Sequence, residues 1–247
     1  MSEAVRQEYL SALGLTQWRL RSAPLVVAPL PVELPAPPVT APLMTPVTGL
    51  VPMADGEGGR ESGLDWQALR AKVAACTRCT LSATRTQTVF GVGSTSAQWL
   101  IVGEAPGAEE DRQGEPFVGR AGQLLNSMLR AIGLAREQVY IANVLKCRPP
   151  GNRDPNPAEA AECLPYLDQQ IALLRPKIML AVGRIAAQNL LRTDKTLGSL
   201  RQQVHSFGVS KVPMVVTYHP AYLLRTPGDK RKAWEDLKFA REVCSRG

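Results

Sequence analysis

Four of the five cysteines are spaced so that distant parts of the chain must meet if they act together. Cys76 and Cys79 form a C-x2-C pair, Cys147 follows after 67 intervening residues, and Cys163 follows after a further 15 intervening residues. Four thiolates can hold a tetrahedral zinc ion or a 4Fe–4S cluster. Because the interval is long, these ligands converge only if the intervening chain folds into a domain. Cys244, near the C-terminus, is expected to be a spare.

Length and composition limit the class of protein. The 247 residues suffice for one medium domain with extensions or for two small domains. The sequence has no apolar run of about 18 residues, so we predict no membrane-spanning helix. It also shows no basic segment followed by an apolar one at its N-terminus, which predicts no signal peptide and a cytoplasmic location. Cytoplasmic thiols stay reduced, which favours metal ligation over disulfides.

The charge favours a polyanionic partner. The formal net charge is +7, and residues 1–60 hold four basic and five acidic side chains, so the remainder carries the positive excess. A positive globular body suits nucleic acid, although a basic protein without such a partner has the same composition. With DNA as that partner, we expect a protein associated with the nucleoid.

Three segments are predicted along the chain. Residues 1–22 have the apolar spacing of an amphipathic helix and form a candidate docking peptide. Residues 23–63 form a predicted linker, because residues 24–52 alone contain nine of the 20 prolines. Residues 64–247 form the predicted folded domain.

Strand and helix patterns alternate in the predicted domain. Short apolar runs predict strands at 99–102, 139–144, 178–182 and 212–217, and helical patterns are found at 122–134, 157–174, 184–191 and 230–243. Such alternation predicts an α/β fold with three α/β/α layers around a central four-stranded parallel sheet. Active sites of parallel sheets lie at the carboxyl ends of the strands.

Three candidate side chains lie in the loops at those strand ends. Phe117 is in the glycine-rich loop after the first strand, Asn143 ends the second, and His219 follows the fourth. A ring can stack on a base, an amide can read a base edge and an imidazole can serve in catalysis. Each residue taken singly also has a structural interpretation: a core ring, a cap and a satisfied histidine.

Taken together, the loop sequences resemble those of the family 4 uracil-DNA glycosylases. The matching blocks are Gly103-Glu104-Ala105-Pro106-Gly107, Pro116-Phe117-Val118-Gly119, Asn143 through Lys146-Cys147-Arg148-Pro149-Pro150, and His219-Pro220-Ala221-Tyr222-Leu223-Leu224-Arg225. The resemblance extends over residues 64–245 and implies the uracil-DNA glycosylase fold. It also implies that the four cysteines bind a 4Fe–4S cluster with a structural role, a choice that spacing alone leaves open.

The resemblance implies an enzyme that flips uracil out of DNA and hydrolyses its N-glycosidic bond, leaving an abasic site. Phe117 would stack on the base, and Asn143 would accept a hydrogen bond from uracil N3–H and donate one to O4. His219 would donate to O2, where negative charge develops. Glu104, with Ala105 and Pro106, would position water or the base. Glu110 would shape the side of the pocket that excludes thymine.

The resemblance also implies a set of DNA contacts. We expect these from Lys146, Arg148, Leu223, Leu224 and Arg225. Apolar wedges fill the gap left by an extruded base, and arginine contacts phosphate. The two leucines can instead begin a helix packed on the core, and we expect one to do each.

The N-terminal segment resembles a different protein. Residues 13–21 are similar to the N-terminus of psi, a clamp-loader subunit of the replicative polymerase that docks on the chi subunit. We therefore expect residues 1–22 to recruit the domain to chi, the alternative being a disordered tail. We expect the protein itself to be a monomer.

Two other classes of function remain open from the residues. One is a non-catalytic iron–sulfur DNA-binding module tethered to the replisome, and the other is an electron-transfer protein. The latter lacks ferredoxin-like cysteine spacing. The presence of Phe117, Asn143 and His219 together favours the enzyme, since a binding module needs none of them.

Overall fold

The computed structural model describes residues 65–208 and 210–246 of the chain. The predicted docking peptide 1–22 and linker 23–63 lie outside the described residues, so both stay predictions. Among the described residues, no helix has the length and apolar character needed to cross a bilayer.

The core of the domain is a mixed sheet. Its strands are β1 (Val92–Gly93), β2 (Trp99–Gly103), β3 (Tyr140–Asn143), β4 (Ile178–Val182), β5 (His205–Phe207) and β6 (Val212–Thr217). They are ordered β1-β3-β2-β4-β6-β5, with the four central strands parallel and each short edge strand antiparallel to its neighbour. All four parallel strands therefore end at the same edge of the sheet.

Helices cover both faces of the sheet. They are α1 (Trp66–Ala74), α2 (Ala108–Gln113), α3 (Arg120–Ala131), α4 (Pro157–Leu174), α5 (Arg184–Leu191), α6 (Leu197–Leu200), α7 (Pro220–Arg225) and α8 (Lys230–Arg246). Four single 3-10 turns connect them, at Thr80–Ala83, Arg136–Gln138, Pro150–Asn152 and Pro227–Asp229.

Strand alternation divides the buried side chains between two cores. In β2, Leu100 and Val102 point to one face, where Leu167 and Leu190 of α4 and α5 pack on them. Ile101 points to the other face, which is covered by α3, α7 and α8. This two-sided burial explains why the central strands are continuous apolar runs.

A third apolar cluster lies beside the sheet. It contains Leu69 and Val73 of α1, together with Cys147 and Cys163 from the loop after β3 and from α4. The remaining buried members are Leu81, Phe90, Leu145 and Tyr166. The cluster joins α1 to the body of the domain.

The predicted fold class is confirmed, with two additions to the sheet. The predicted strands 178–182 and 212–217 have the observed bounds, and the other two differ by one residue at one or both ends. The sheet has six strands rather than four, because β1 and β5 add antiparallel edges. Those edges hold two and three residues, too few to show a periodic pattern.

Candidate active site and cysteine cavity

A cleft of about 420 Å³ opens at the edge where the parallel strands end. Its lining includes eight of the residues predicted from sequence: Glu104, Ala105, Pro106, Glu110, Phe117, Asn143, His219 and Arg225. They come from the loops after β2, β3 and β6, so the topology brings three distant segments to one place.

Asn143 offers an unused hydrogen-bond acceptor in this cleft. It is the last residue of β3 and is 2% exposed. Its Oδ1 is buried and has no hydrogen-bond partner among the described residues. A side chain at Gly103, its neighbour in register, would place Cβ only 2.3 Å from that oxygen. A buried acceptor without a partner costs stability, which marks it as a group kept for a ligand.

Phe117 is held in a left-handed backbone conformation, with φ of 54°. The Arg136 guanidinium donates to the carbonyl oxygens of Phe117 (3.2 Å) and Pro116 (2.6 Å). A Cβ at Gly122 would lie 1.8 Å from the Phe117 carbonyl oxygen, so the first turn of α3 packs directly on this turn and leaves no room for a side chain at position 122. Such a conformation is costly for a bulky residue and persists only where its surroundings enforce it. The backbone that carries the ring is therefore fixed before any ligand binds.

His219 is oriented by the helix that it begins. Its Nδ1 accepts a hydrogen bond from the Ala221 backbone N–H at 3.1 Å, as the cap of α7. Burial lowers the pKa of His219 to about 4, with a smaller contribution from the cationic Arg225. The ring centroid lies 5.6 Å from that of Phe117. The imidazole is thus neutral at pH 7 and carries its proton on Nε2.

Glu104 follows β2 and shares the cleft with a second carboxylate. Burial raises the pKa of Glu104 to about 7, and the charge of Asp154 adds to the shift. Arg184 opposes it and lies 3.4 Å from the Asp154 carboxylate. A carboxyl with a pKa near 7 can take up or release a proton under physiological conditions.

Glu110 braces two loops of the cleft. Its Oε2 accepts from the Gly107 backbone N–H, and its Oε1 accepts from those of Val118 (3.1 Å) and Gly119 (3.3 Å). Both carboxylate oxygens are therefore occupied by backbone donors. The side chain fixes the wall of the cleft beside Phe117.

The four cysteines line one small cavity together with Arg85 and Lys146. Arg85 donates to Cys147 Sγ at 3.0 Å, and the Lys146 backbone N–H donates to Cys163 Sγ at 3.2 Å. Burial raises the pKa of the Cys163 thiol to about 11. In the described part of the chain, no three His, Cys, Asp or Glu side chains are close enough to share one metal ion.

Four thiols on one cavity are a donor set that fits a zinc ion or an iron–sulfur cluster. A zinc ion requires all four sulfurs within about 2.3 Å of one point. An iron–sulfur cluster instead binds each sulfur to a different iron around a shared space. The N–H donors to sulfur are of the kind that tunes such clusters.

The predicted DNA contact at Lys146 is contradicted by the burial of its side chain, whereas burial of one of the two leucines was expected. Lys146 is 1% exposed, and its ammonium is bound by the Asn143 carbonyl oxygen and Gln170 Oε1 inside the protein. Leu223 is 1% exposed and packs in the core beneath α3 and α8. Leu224 is 37% exposed, so the structure divides the two leucines as expected, one to the core and one to the surface.

The predicted arginines remain available at the surface. Arg225 is exposed beside the cleft. Arg148 is partly buried, and its Nε donates to Asn152 Oδ1 at 2.7 Å. Arg153, which also lines the cleft, pairs with Glu159 at 2.6 Å.

Three residues that shape the site were not predicted from the sequence. Arg136 grips the turn at Phe117, and Asp154 with Arg184 sets the electrostatic surroundings of Glu104. Arg136 carried no local signal, because its partners are backbone carbonyls 19 and 20 positions away. Arg184 had one signal, its position where a helix starts from a strand end.

Comparisons with known proteins agree with the geometry. Residues 90–238 match the model of the uracil DNA glycosylase superfamily. The chain is 44% identical over 182 residues to the type-4 uracil-DNA glycosylase of Archaeoglobus fulgidus, covering 71% of this chain and 91% of that protein. It is 42% identical over 180 residues to the type-4 enzyme of Pyrobaculum aerophilum, covering 70% and 92% respectively.

Proposed function

The chain belongs to the type-4 branch of the uracil-DNA glycosylase superfamily, and we propose that its cleft binds uracil turned out of DNA and hydrolyses the N-glycosidic bond. It is a uracil-DNA glycosylase, a hydrolase of DNA repair. The observation that carries the assignment of the site is the buried, unpartnered Oδ1 of Asn143, which lies beside Phe117 in a cleft that His219 also lines.

Asn143 recognises the base. Its amide accepts from uracil N3–H and donates to O4, while cytosine presents an acceptor at N3 and a donor at its amino group. Bound cytosine would leave buried polar groups unpaired, which discriminates by about 10⁴ or more in sites built on such hydrogen bonds. Phe117 supplies the stacking surface, and its turn is braced before binding by Arg136 and Glu110.

Leaving-group stabilisation falls to His219. As the glycosidic bond breaks, the uracil departs as an anion and the sugar gains positive character. The proton on Nε2 forms a hydrogen bond to uracil O2, where the negative charge grows. A neutral imidazole already oriented by Ala221 needs no reorganisation at that moment.

Glu104 positions the attacking water and accepts its proton. Its carboxylate, aided by the backbone of Ala105 and Pro106, holds a water against the sugar carbon and accepts its proton as the new C–O bond forms. The raised pKa of Glu104 suits a base that works near neutral pH. The charge of Asp154 raises that pKa and the charge of Arg184 lowers it.

We assign the cysteine cavity to a 4Fe–4S cluster bound by Cys76, Cys79, Cys147 and Cys163. When bound, the cluster supplies a structural cross-link between the segment after α1, the loop after β3, and α4. The support is the chemistry of the donor set, four thiols on one cavity with N–H donors directed at sulfur. Anaerobically purified protein should be brown with about four irons per chain, and a colourless zinc protein would overturn the assignment.

The substrate is uracil-containing DNA. We propose that Leu224 enters the space left by the flipped base and that Arg225 and Arg148 contact phosphates, since all three reach the surface near the strand ends. Residues 64–247 form the glycosylase domain, which we take to act as a monomer in the cytoplasm, on the nucleoid.

Residues 1–22 provide a proposed docking peptide for the chi subunit, tethered by the linker 23–63. A synthetic peptide of residues 1–22 should bind purified chi, and the same peptide with Trp18→Ala should bind more weakly. Absence of binding by the unsubstituted peptide would refute this partner without touching the glycosylase assignment.

The enzymatic proposal is tested with defined oligonucleotides. Full-length protein is incubated with single- and double-stranded DNA containing one uracil, followed by alkaline cleavage at abasic sites. Matched strands with cytosine or thymine at that position serve as controls. Cleavage only at uracil is expected. No cleavage at uracil would contradict the glycosylase proposal, and equal cleavage at cytosine would contradict the role of Asn143 in recognition of the base.

A further inference from the structure

Lys146 has its ammonium inside the protein without an acidic partner. Its Nζ donates to the main-chain carbonyl oxygen of Asn143 at 2.8 Å and to Gln170 Oε1 at 2.6 Å, both uncharged acceptors. None of the ion pairs found among residues 65–208 and 210–246 includes Lys146. Burying a cation is strongly unfavourable unless an opposite charge lies near it.

The cysteine cavity is where that opposite charge can be found. Lys146 lines this cavity together with the four cysteines. Its backbone N–H donates to Cys163 Sγ at 3.2 Å, and Cys147 is the next residue in the chain. Buried Leu145 and Tyr166 exclude water here, so charges across the cavity are weakly screened.

Gln170 completes the cradle of the ammonium. While its Oε1 accepts from Lys146, its Nε2 donates to the Phe90 carbonyl oxygen (2.9 Å) and to the Tyr140 hydroxyl (3.3 Å). Gln170 is fully buried and cannot turn its amide without losing these contacts. The cradle therefore holds the ammonium at one place between the cavity and β3.

We propose that Lys146 is a buried counter-charge of the iron–sulfur cluster, in addition to Arg85 at Cys147, and the positioning residue that couples the cluster to Asn143. The inference rests on the four-cysteine cluster proposed above. Four thiolates give the cluster a net negative charge, which stabilises the ammonium in the interior. The ammonium in turn donates a hydrogen bond to the main-chain carbonyl of Asn143, the residue whose side-chain amide recognises the base. One side chain thereby joins the metal centre to the specificity group.

The test compares Lys146→Met with Lys195→Met, which removes the same charge from an exposed position. Melting temperatures are measured for cluster-loaded protein and for protein whose iron has been removed by chelation. The Lys146→Met change should lower the melting temperature of the loaded form by about 5 °C or more. It should lower that of the iron-free form far less, or raise it, because the ammonium there has lost its opposite charge. Lys195→Met should affect neither form.

A lysine with a purely structural role would cost the same stability in both forms, and that result would overturn the proposal. A second measurement covers the case in which iron-free protein does not fold: the reduction potential of the cluster in native protein, Lys146→Met and Lys146→Arg. Loss of the cation should make the cluster harder to reduce, and arginine should restore the native potential. An unchanged potential in Lys146→Met contradicts the counter-charge. Native protein without iron would instead refute the cluster itself.

Discussion

The backbone N–H of Ala221 donates to Nδ1 of His219 across 3.1 Å, and this contact decides which nitrogen of the imidazole faces the substrate as a donor. A backbone amide can only donate, so Nδ1 is an acceptor and the proton of the neutral ring is on Nε2. The hydrogen bond that caps the first turn of α7 therefore also orients the catalytic imidazole.

Loss of this donor should slow the chemical step. His219→Ala is expected to lower single-turnover excision of uracil by about 10²–10³-fold, the usual effect of removing one donor to a developing anion. His219→Gln, which keeps an N–H near the same place, should lose less. Rapid-quench assays at saturating enzyme measure both, and equal rates for native protein and His219→Ala would refute the role.

The buried imidazole should also make stability depend on pH. The pKa of His219 is about 4 in the folded protein and about 6.5 when the chain is unfolded. Below pH 6.5 the unfolded chain takes up a proton that the folded protein does not, so stability falls as the pH drops from 6.5 to 4. The loss should reach roughly 2–3 kcal/mol. Urea unfolding of native protein and His219→Gln over this range should show the smaller slope in the variant.

The pH dependence of the rate should report Glu104. If its carboxylate is the base, excision rises with pH through the pKa of about 7 and then levels off. Glu104→Gln should give a slower rate without that rise. A pH profile of the same shape in both proteins would exclude Glu104 as the base.

Glu104 should affect stability in the opposite sense from His219. Its folded pKa of about 7 lies above the unfolded value of 4.5, so the folded protein binds the extra proton between these values. Its contribution is present below pH 4.5 and is lost as the pH rises through 7. Relative to native protein, Glu104→Gln should therefore gain stability by roughly 1–2 kcal/mol between pH 5 and pH 8.

The side chain of Asn143 should lower the stability of the folded protein while allowing it to recognise uracil. Replacing it with leucine, of similar volume, removes a buried acceptor without a partner and should raise the unfolding free energy by about 1 kcal/mol. Excision of uracil should fall by about 10³-fold or more, because the base edge would then face an apolar group. A destabilised variant, or one with native activity, would contradict this view of the amide.

Leu223 and Leu224 form a matched pair of neighbours. Leu223→Ala should cost about 2–4 kcal/mol of stability, because it opens a cavity between α7 and the core. Leu224→Ala should leave stability unchanged and raise KM for double-stranded more than for single-stranded uracil DNA, since only the duplex leaves a gap to fill. Chemical unfolding and steady-state kinetics on both substrates separate the two effects.

The sequence predicted the fold well where burial imposes a pattern. The runs at 178–182 and 212–217 are apolar except for Thr217 because helices cover both faces, and their observed bounds are the predicted ones. The edge strands β1 and β5 escaped prediction because their pairing depends on a neighbouring strand rather than on their own composition.

The sequence indicated which residue types form the candidate site, but not the direction in which each side chain points. Phe117, Asn143 and His219 were selected because each lies at the end of a predicted strand or in the loop that follows one. The basic character of Lys146 suggested DNA, yet the chain turns that side chain inward to Gln170, 24 positions away. A lysine in a sequence shows a charge but not which side of the backbone it occupies.

The close approach of Gly122 to Phe117 has a consequence for how this protein can vary over evolutionary time. Any side chain at position 122 would collide with the carbonyl of the Phe117 turn. Because the contact is with main-chain atoms, position 122 is expected to remain glycine whatever side chain stands at position 117. Sequence drift can alter the surface of α3 freely while the ring presented to the base stays the same.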